Sequence, residues 1–306
     1  MTIKKHTLQK HLTFLLLVIV FFTMFSNLMF TISSTENSNS IQYTISDPIE
    51  IDGEIAFRAT AQTKGWSGDG TSQSPIIIDG LQIVGDFSKP LISIKNSQLF
   101  FNLQNCVLTR GTIGILLEDI SKASILKNVI VDNSIYGIKG SSFNGSLIKN
   151  NLISNNNIDG IFFDEVVFVV IVCNQISDNT GYGINVQAGE DLNITKNNFE
   201  DNNIGDSSQA LDAGVNNEFK NNYWSDWTNT GSYQIDGSSN NADLVPLDTE
   251  VIFDVGTCGG SPPTRPTDIT KPSSFPSSTS FSPIIILYLA SICIGIFGLY
   301  VRKRRN

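Results

Sequence analysis

Asn128-VIVDNSIYGIKGSSFNGSLIKN-Asn151-LISNNNIDGIFFDEVVFVVIVC-Asn174-QISDNTGYGINVQAGEDLNITK-Asn197 is one pattern written three times. Asparagine falls at Asn105, Asn128, Asn151, Asn174 and Asn197, each 23 residues after the last, and again at Asn221 after 24. Glycine keeps the step at Gly114, Gly137, Gly160 and Gly183. Isoleucine keeps it at Ile115, Ile138, Ile161, Ile184 and at Ile125, Ile148, Ile171, Ile194. A fifth column reads Val107, Ile130, Ile153, Ile176, Phe199. Self-similarity at a fixed period is the signature of a repeat architecture.

What fills each unit decides the architecture. The L-x-x-L-x-L-x-x-N frame of leucine-rich repeats is missing, and the units lack the helix formers that helical repeats need. Short alternating runs separated by Asn/Gly clusters read as strands and turns. Stacked in register, such units make an all-β, right-handed parallel β-helix of about six coils of ~23 residues, each coil advancing one strand spacing. The Ile columns then face inward. The Asn column Asn105, Asn128, Asn151, Asn174, Asn197, Asn221 is expected at a tight turn with left-handed backbone, its amides bonding coil to coil. The Gly column is expected at a second turn needing positive φ or close packing.

Outside the array the composition changes. Lys4, Lys5 and Lys10 precede an apolar run from Leu12 to Phe30, so residues 1–32 resemble a secretory signal, cleaved or kept as an anchor. Residues 41–77 are placed to cap the open N-terminal end of a solenoid, and 78–224 carry the coils. Residues 225–258 form the opposite cap. Residues 259–282 are dominated by Pro, Ser and Thr and read as a stalk. Residues 283–301 are almost wholly apolar and are followed by Arg302-Lys303-Arg304-Arg305 within a 302–306 tail. That is the pattern of a single C-terminal transmembrane helix with its basic end inside, which places the body outside the cell membrane.

The entry Gly65-WSGDG-Thr71, the following Pro75-IIID-Gly80, the N-N-x-I coils and the closing Asn221-NYWSD-Trp227 resemble the NosD-like or CASH group of right-handed parallel β-helix proteins, over roughly residues 45 to 247. Signal-bearing, membrane-anchored members are common on archaeal cell surfaces. The resemblance implies the fold. It does not single out a function, because the group includes sugar-active enzymes, binding proteins and copper-delivery proteins.

Composition narrows the chemistry. Both histidines (His6, His11) and all three methionines (Met1, Met24, Met29) precede residue 41, and Cys106, Cys173 and Cys258 are the cysteines of the body. Cys106 and Cys173 fall in different columns about 14 Å apart by strand spacing, too far for a disulfide, and read as small core residues. Copper is therefore excluded for want of soft ligands. Seven of the 20 basic residues flank the apolar ends, and one of the 29 acidic residues, Glu36, precedes Ile41; the body keeps 13 basic and 28 acidic residues, a net of −15. Such a surface repels nucleic acid. Neutral glycans, neighbouring surface proteins or calcium fit it better.

Four sets of residues carry functional candidates. Glu118-Asp119 and Asp164-Glu165 share two columns two coils apart, the only arrangement here that suggests carboxylate-dependent glycoside hydrolysis. Asp178 and Asp201 share a column on adjacent coils, with Asn155 and Asn179 nearby, and are the candidates for a shared calcium ion. Phe162, Val167 and Val172 occupy outward columns in an apolar coil and suggest a docking strip covered by the cap, the stalk or a partner. Tyr223, Trp224 and Trp227 can stack on sugar rings or close the core, the lid being the favoured reading. The sequence thus describes a membrane-held surface module that binds glycans or neighbouring surface proteins, without a cofactor unless calcium, with a polysaccharide-degrading enzyme as the alternative.

Overall fold

A computed structural model describes residues 42–205 and 208–266. The apolar runs read as signal and transmembrane helix, and the stalk beyond residue 266, lie outside the described residues. No helix among those described is long and apolar enough to cross a membrane. The chain divides into two compact units, Met1–Ile45 and Ser46–Asn306. The short strand Thr44–Ile45 belongs to the first; everything below concerns the second.

The second unit is a right-handed parallel β-solenoid of about six turns. Each turn lays one short strand on each of three parallel sheets. Sheet A stacks Leu81–Val84, Val107–Thr109, Val129–Val131, Leu152–Ser154, Gln175–Ser177, Asn198–Glu200 and Tyr223–Trp224. Sheet B stacks Ile49–Asp52, Ile92–Ser97, Ile113–Ser121, Tyr136–Asn144, Ile161–Val167, Ile184–Val186 and Ala210–Asp212. Sheet C stacks Ile76–Asp79, Phe101–Gln104, Ala123–Leu126, Leu147–Lys149, Val170–Val172, Asn193–Thr195 and Glu218–Lys220.

The Ile columns are the core as the alternation demands. Ile115, Ile138, Ile161 and Ile184 are in register on sheet B, and Ile125, Ile148, Ile171 and Ile194 on sheet C, all fully buried. At the first coil the register slips by one residue: Ile130 pairs with Leu108, and Val107 with Val129. The fifth column therefore begins at Leu108, not Val107.

That slip also corrects the asparagine column. The ladder is Asn128, Asn151, Asn174, Asn197 and Asn222, each Nδ2 donating to the next Oδ1 at 2.9–3.1 Å. Asn105 is outside it, donating instead to Asp79 Oδ1 at 2.8 Å. Cys106 takes its place, its backbone N–H donating to Asn128 Oδ1. At the other end Asn222 replaces Asn221, and its Nδ2 donates to Asp243 Oδ2 at 3.1 Å. The ladder residues themselves are not left-handed; the residue before each one is, at Asn105, Lys127, Asn150, Cys173, Lys196 and Asn221. A side chain directed inward between coils needs ordinary backbone, and the reversal is made one position earlier. The Gly column likewise needs space and not positive φ: a Cβ on Gly160 would lie 2.7 Å from Gly183 O and 2.8 Å from Asn179 Nδ2.

A second ladder runs through Asn133, Asn156, Asn179 and Asn202, with Nδ2-to-Oδ1 distances of 2.8–3.0 Å, and ends on Gln209 Oε1. It holds the same 23-residue step as the first ladder. Other corners repeat left-handed residues coil after coil: Asp119, Ser142, Glu165; then Lys122, Gly145, Phe168, Asp191; then Asp132, Asn155, Asp178, Asp201.

Both ends are closed. The helix Glu54–Lys64 buries Phe57 and Ala61 against the core, and Phe57 meets Phe101 edge-on at 5.3 Å. At the far end Trp224 lies flat between Phe199 (4.3 Å) and Tyr233 (4.2 Å). From there the chain turns back as a strap along the solenoid. Leu247 N donates to Asn222 O, Val251 N to Asn198 Oδ1, and Cys258 forms a disulfide with Cys173. Asn150 Nδ2 donates to Cys258 O, and Arg265 grips Asp132 with both guanidinium nitrogens. So Cys173 is no simple core residue, and the first residues assigned to the stalk are bound to the solenoid.

Candidate functional site

The acidic pairs are where the register put them. Glu118, Ser141 and Asp164 align across three strands of sheet B. Glu118 is engaged by Lys95 Nζ at 2.6 Å. Asp164 and Glu165 are exposed, and Glu165 accepts a long 3.4 Å contact from Ser142 Oγ. Asp119 and Glu165 occupy left-handed corner positions. The structure brings Glu118 and Asp164 onto one face but encloses neither in a cleft with a water-excluding wall, which acid–base catalysis would need.

Asp178 and Asp201 sit at exposed left-handed corners, where Asp and Asn are favoured on backbone grounds. Asp132, in the same column, is held by Arg265. Asn179, read as a neighbour for calcium, is 1% exposed and its Oδ1 accepts from Asn156, so it belongs to the second ladder. No cluster of three or more His, Cys, Asp or Glu side chains suited to a metal occurs among the described residues.

The carboxylate that sequence reasoning passed over is Asp159, 3% exposed in the turn that precedes the sheet B strand Ile161–Val167. It accepts from Tyr182 N at 2.8 Å and Asn185 Nδ2 at 2.9 Å. Burial pushes its carboxyl above the ordinary Asp range, against those two bonds. No column marked it, because its neighbours in register, Tyr136 and Tyr182, are of another type.

The aromatic candidates separate. Trp224 is 1% exposed and forms the lid, its Nε1 donating to Asp243; no sugar reaches its face. Tyr223 and Trp227 are half-buried beside it, and Trp227 packs on the core. Phe162 points outward as read, but Tyr136 stacks on it at 4.8 Å and Lys139 Nζ approaches the ring at 5.9 Å.

The apolar strip also separates. Val172 is covered by the strap, packing with Val251, Leu247, Phe253 and the disulfide. Val167 is not covered. It lines an open cavity of about 330 Å³ with Val166, Val215, Glu165 and Glu190. Next to it Phe168 is 58% exposed and Val170 37%, while Val215 is 60% exposed. Phe168 also has φ 55°, in the column where the coil below uses Gly145. A bulky side chain in left-handed backbone is unusual. The corner that it shares with Lys122, Gly145 and Asp191 sets that backbone; burial does not account for the exposed ring.

Fold and surface together define a parallel β-solenoid displaying an open apolar edge with acidic neighbours. A family model described as periplasmic copper-binding protein (NosD) matches residues 32–241, and the chain belongs to that family. No curated protein and no solved structure matches the chain. The copper in the family's description does not fit the donors present. The described residues include no His and no Met. Cys173 and Cys258 are joined, and Cys106 is 1% exposed with its thiol pushed up to about 12 by burial. Copper favours imidazole, thiolate or thioether, and the described residues offer no histidine, no methionine and no accessible thiol.

Proposed function

We propose that this chain is a surface-displayed binding module whose contact edge is formed by Val167, Phe168, Val170 and Val215, and that it recognises a glycan or a neighbouring surface protein. The observation that carries the reading is Phe168: exposed, apolar and held in left-handed backbone. Large apolar side chains left open together on one edge mark an interaction surface. The acidic neighbours Glu165, Glu190 and Asp191 favour an uncharged or cationic partner. Support for an extracytoplasmic location comes from the family's description as periplasmic and from the apolar N-terminal run. The apolar residues 283–301 with their basic flank support a single-pass anchor. Screening the full chain in detergent against a glycan array, with released sugar measured in parallel, tests the reading. Retention of neutral glycans or of a surface protein without sugar release is expected. Turnover of a polysaccharide would instead establish the hydrolase.

A further inference from the structure

The triplet Asn-X-Ser/Thr, with X other than Pro, occurs twice in the chain, at Asn144-Gly145-Ser146 and at Asn193-Ile194-Thr195. It is the acceptor signal for asparagine-linked glycosylation, and in a chain so rich in asparagine the triplet alone decides nothing. Position in the solenoid decides more, because a glycan is bulky and needs open solvent. The buried ladder asparagines carry no such signal, and both asparagines that carry it are exposed.

Asn144 is the last residue of the sheet B strand Tyr136–Asn144, and Asn193 is the first of the sheet C strand Asn193–Thr195. Strand alternation turns each one outward, since its neighbours Phe143 and Ile194 are fully buried. Neither side-chain amide is engaged in a hydrogen bond among the described residues, so each Nδ2 is free to carry a substituent. Space is open beside both. A Cβ on the corner residue Gly145 would meet only Lys122 Cγ, at 3.9 Å, and Asn193 stands in register between the exposed Val170 and Glu218. Asn144 pairs with Val167, one coil on, and Asn193 pairs with Val170, one coil back. The two asparagines thus bracket the open edge of Val167, Phe168 and Val170, on the coil to either side of it.

We propose that Asn144 and Asn193 are modification sites, each carrying a covalent N-linked glycan. In the transfer Nδ2 bonds to C1 of a sugar supplied as a lipid-linked phosphate or pyrophosphate. The C1–O bond breaks, the phosphate leaves with the electron pair, and Nδ2 gives up one proton. Ser146 Oγ accepts from Ala123 N and donates to Asn144 O, and the Asn193–Thr195 backbone is paired on both sides. Transfer therefore precedes closure of these coils, and the finished solenoid holds both glycans in solvent. Rooted on either side of the apolar edge, they keep it soluble and leave its middle open. The proposal rests on the extracytoplasmic location of the body but not on partner recognition at Phe168, so it stands if that reading fails.

Mass spectrometry of the full chain, isolated from membranes of the organism that makes it, tests the sites. Trypsin releases residues 140–149 around Asn144, and trypsin with a glutamate-specific protease releases residues 191–196 around Asn193. Each peptide is expected to carry a mass increment made of sugar units, placed on the asparagine by fragmentation. Thr195→Val, at a half-buried outward position in register with Val172, is expected to fold and to lose the glycan at Asn193 while keeping that at Asn144. Thr195→Ser, which restores the hydroxyl, is expected to keep both. Bare asparagine in either parent peptide overturns the proposal, as does a modification of Asn193 that survives Thr195→Val.

Discussion

At the scale of single residues, the two asparagine ladders do what no apolar column can. Asn174 Oδ1 accepts from the backbone N–H and Nδ2 of Asn151, and its own Nδ2 donates to Ile148 O and Asn197 Oδ1, so one amide ties three coils in the dry interior. Asn174→Ala removes these partners together and leaves buried backbone groups unpaired. The loss is expected to be at least ~3 kcal/mol. Asn155→Ala, at an exposed corner with φ 57°, is expected to cost only about 1 kcal/mol. Urea unfolding of the two variants checks the ordering; equal losses would contradict the ladder. This column was legible because the step of 23 repeats in the chain. Its ends were not, since one residue fewer before Asn128 and two more before Asn222 shift the frame where Cys106 and Asp243 take over. The positive-φ column was displaced by one residue for a related reason. A period locates a repeat but does not say which neighbour makes the turn.

At the scale of elements, outer-face chemistry depends on which chain segment lies over each strand. Glu200, on the outer face of sheet A, stands beside the Asp178 and Asp201 corner with Glu250 of the strap close by. Burial raises its carboxyl above the ordinary Glu range; Gln175 opposes this and the charges of Glu250, Asp201 and Asp178 add to it. With the folded value raised, ionised Glu200 opposes folding, and that penalty grows as pH rises through it and is absent below the unfolded value of 4.5. Glu200→Gln should therefore raise the melting temperature at neutral pH and give no gain near pH 4. A gain that persists in acid would contradict the assignment. No group of three or more His, Cys, Asp or Glu side chains placed to hold a metal includes Asp178 and Asp201 among the described residues. Millimolar Ca²⁺ is expected to leave the melting temperature of the parent and of Asp178→Asn/Asp201→Asn alike, and stabilisation of the parent alone would make them ligands. The inward faces were readable because burial alternates with sequence. What covers Val172 was not, because the covering residues Val251, Phe253 and Cys258 lie some 80 residues on and follow no period.

At the scale of the whole molecule, the strap turns an open stack of coils into a closed loop. The Cys173–Cys258 bond spans 85 residues and encloses the last coils and the aromatic lid. By loop entropy alone such a closure contributes about 4.6 kcal/mol. Cys258→Ala is expected to lower the unfolding free energy by roughly 2–4 kcal/mol, read by denaturant titration with and without reductant. A variant unaffected by reductant and as stable as the parent would show that the strap holds without its bond. The strap also divides the outer surface: it covers Val172 and leaves Val167, Phe168, Val170 and Val215 open. That open edge is the centre of the functional account. Its most direct test is partner binding by cells displaying the full chain, comparing the parent with Phe168→Ser/Val170→Ser/Val215→Ser, three exposed positions where polar residues leave the core intact. The account predicts that the triple variant keeps its melting temperature and loses at least about tenfold of glycan or surface-protein binding. Undiminished binding by a fully folded variant would contradict it.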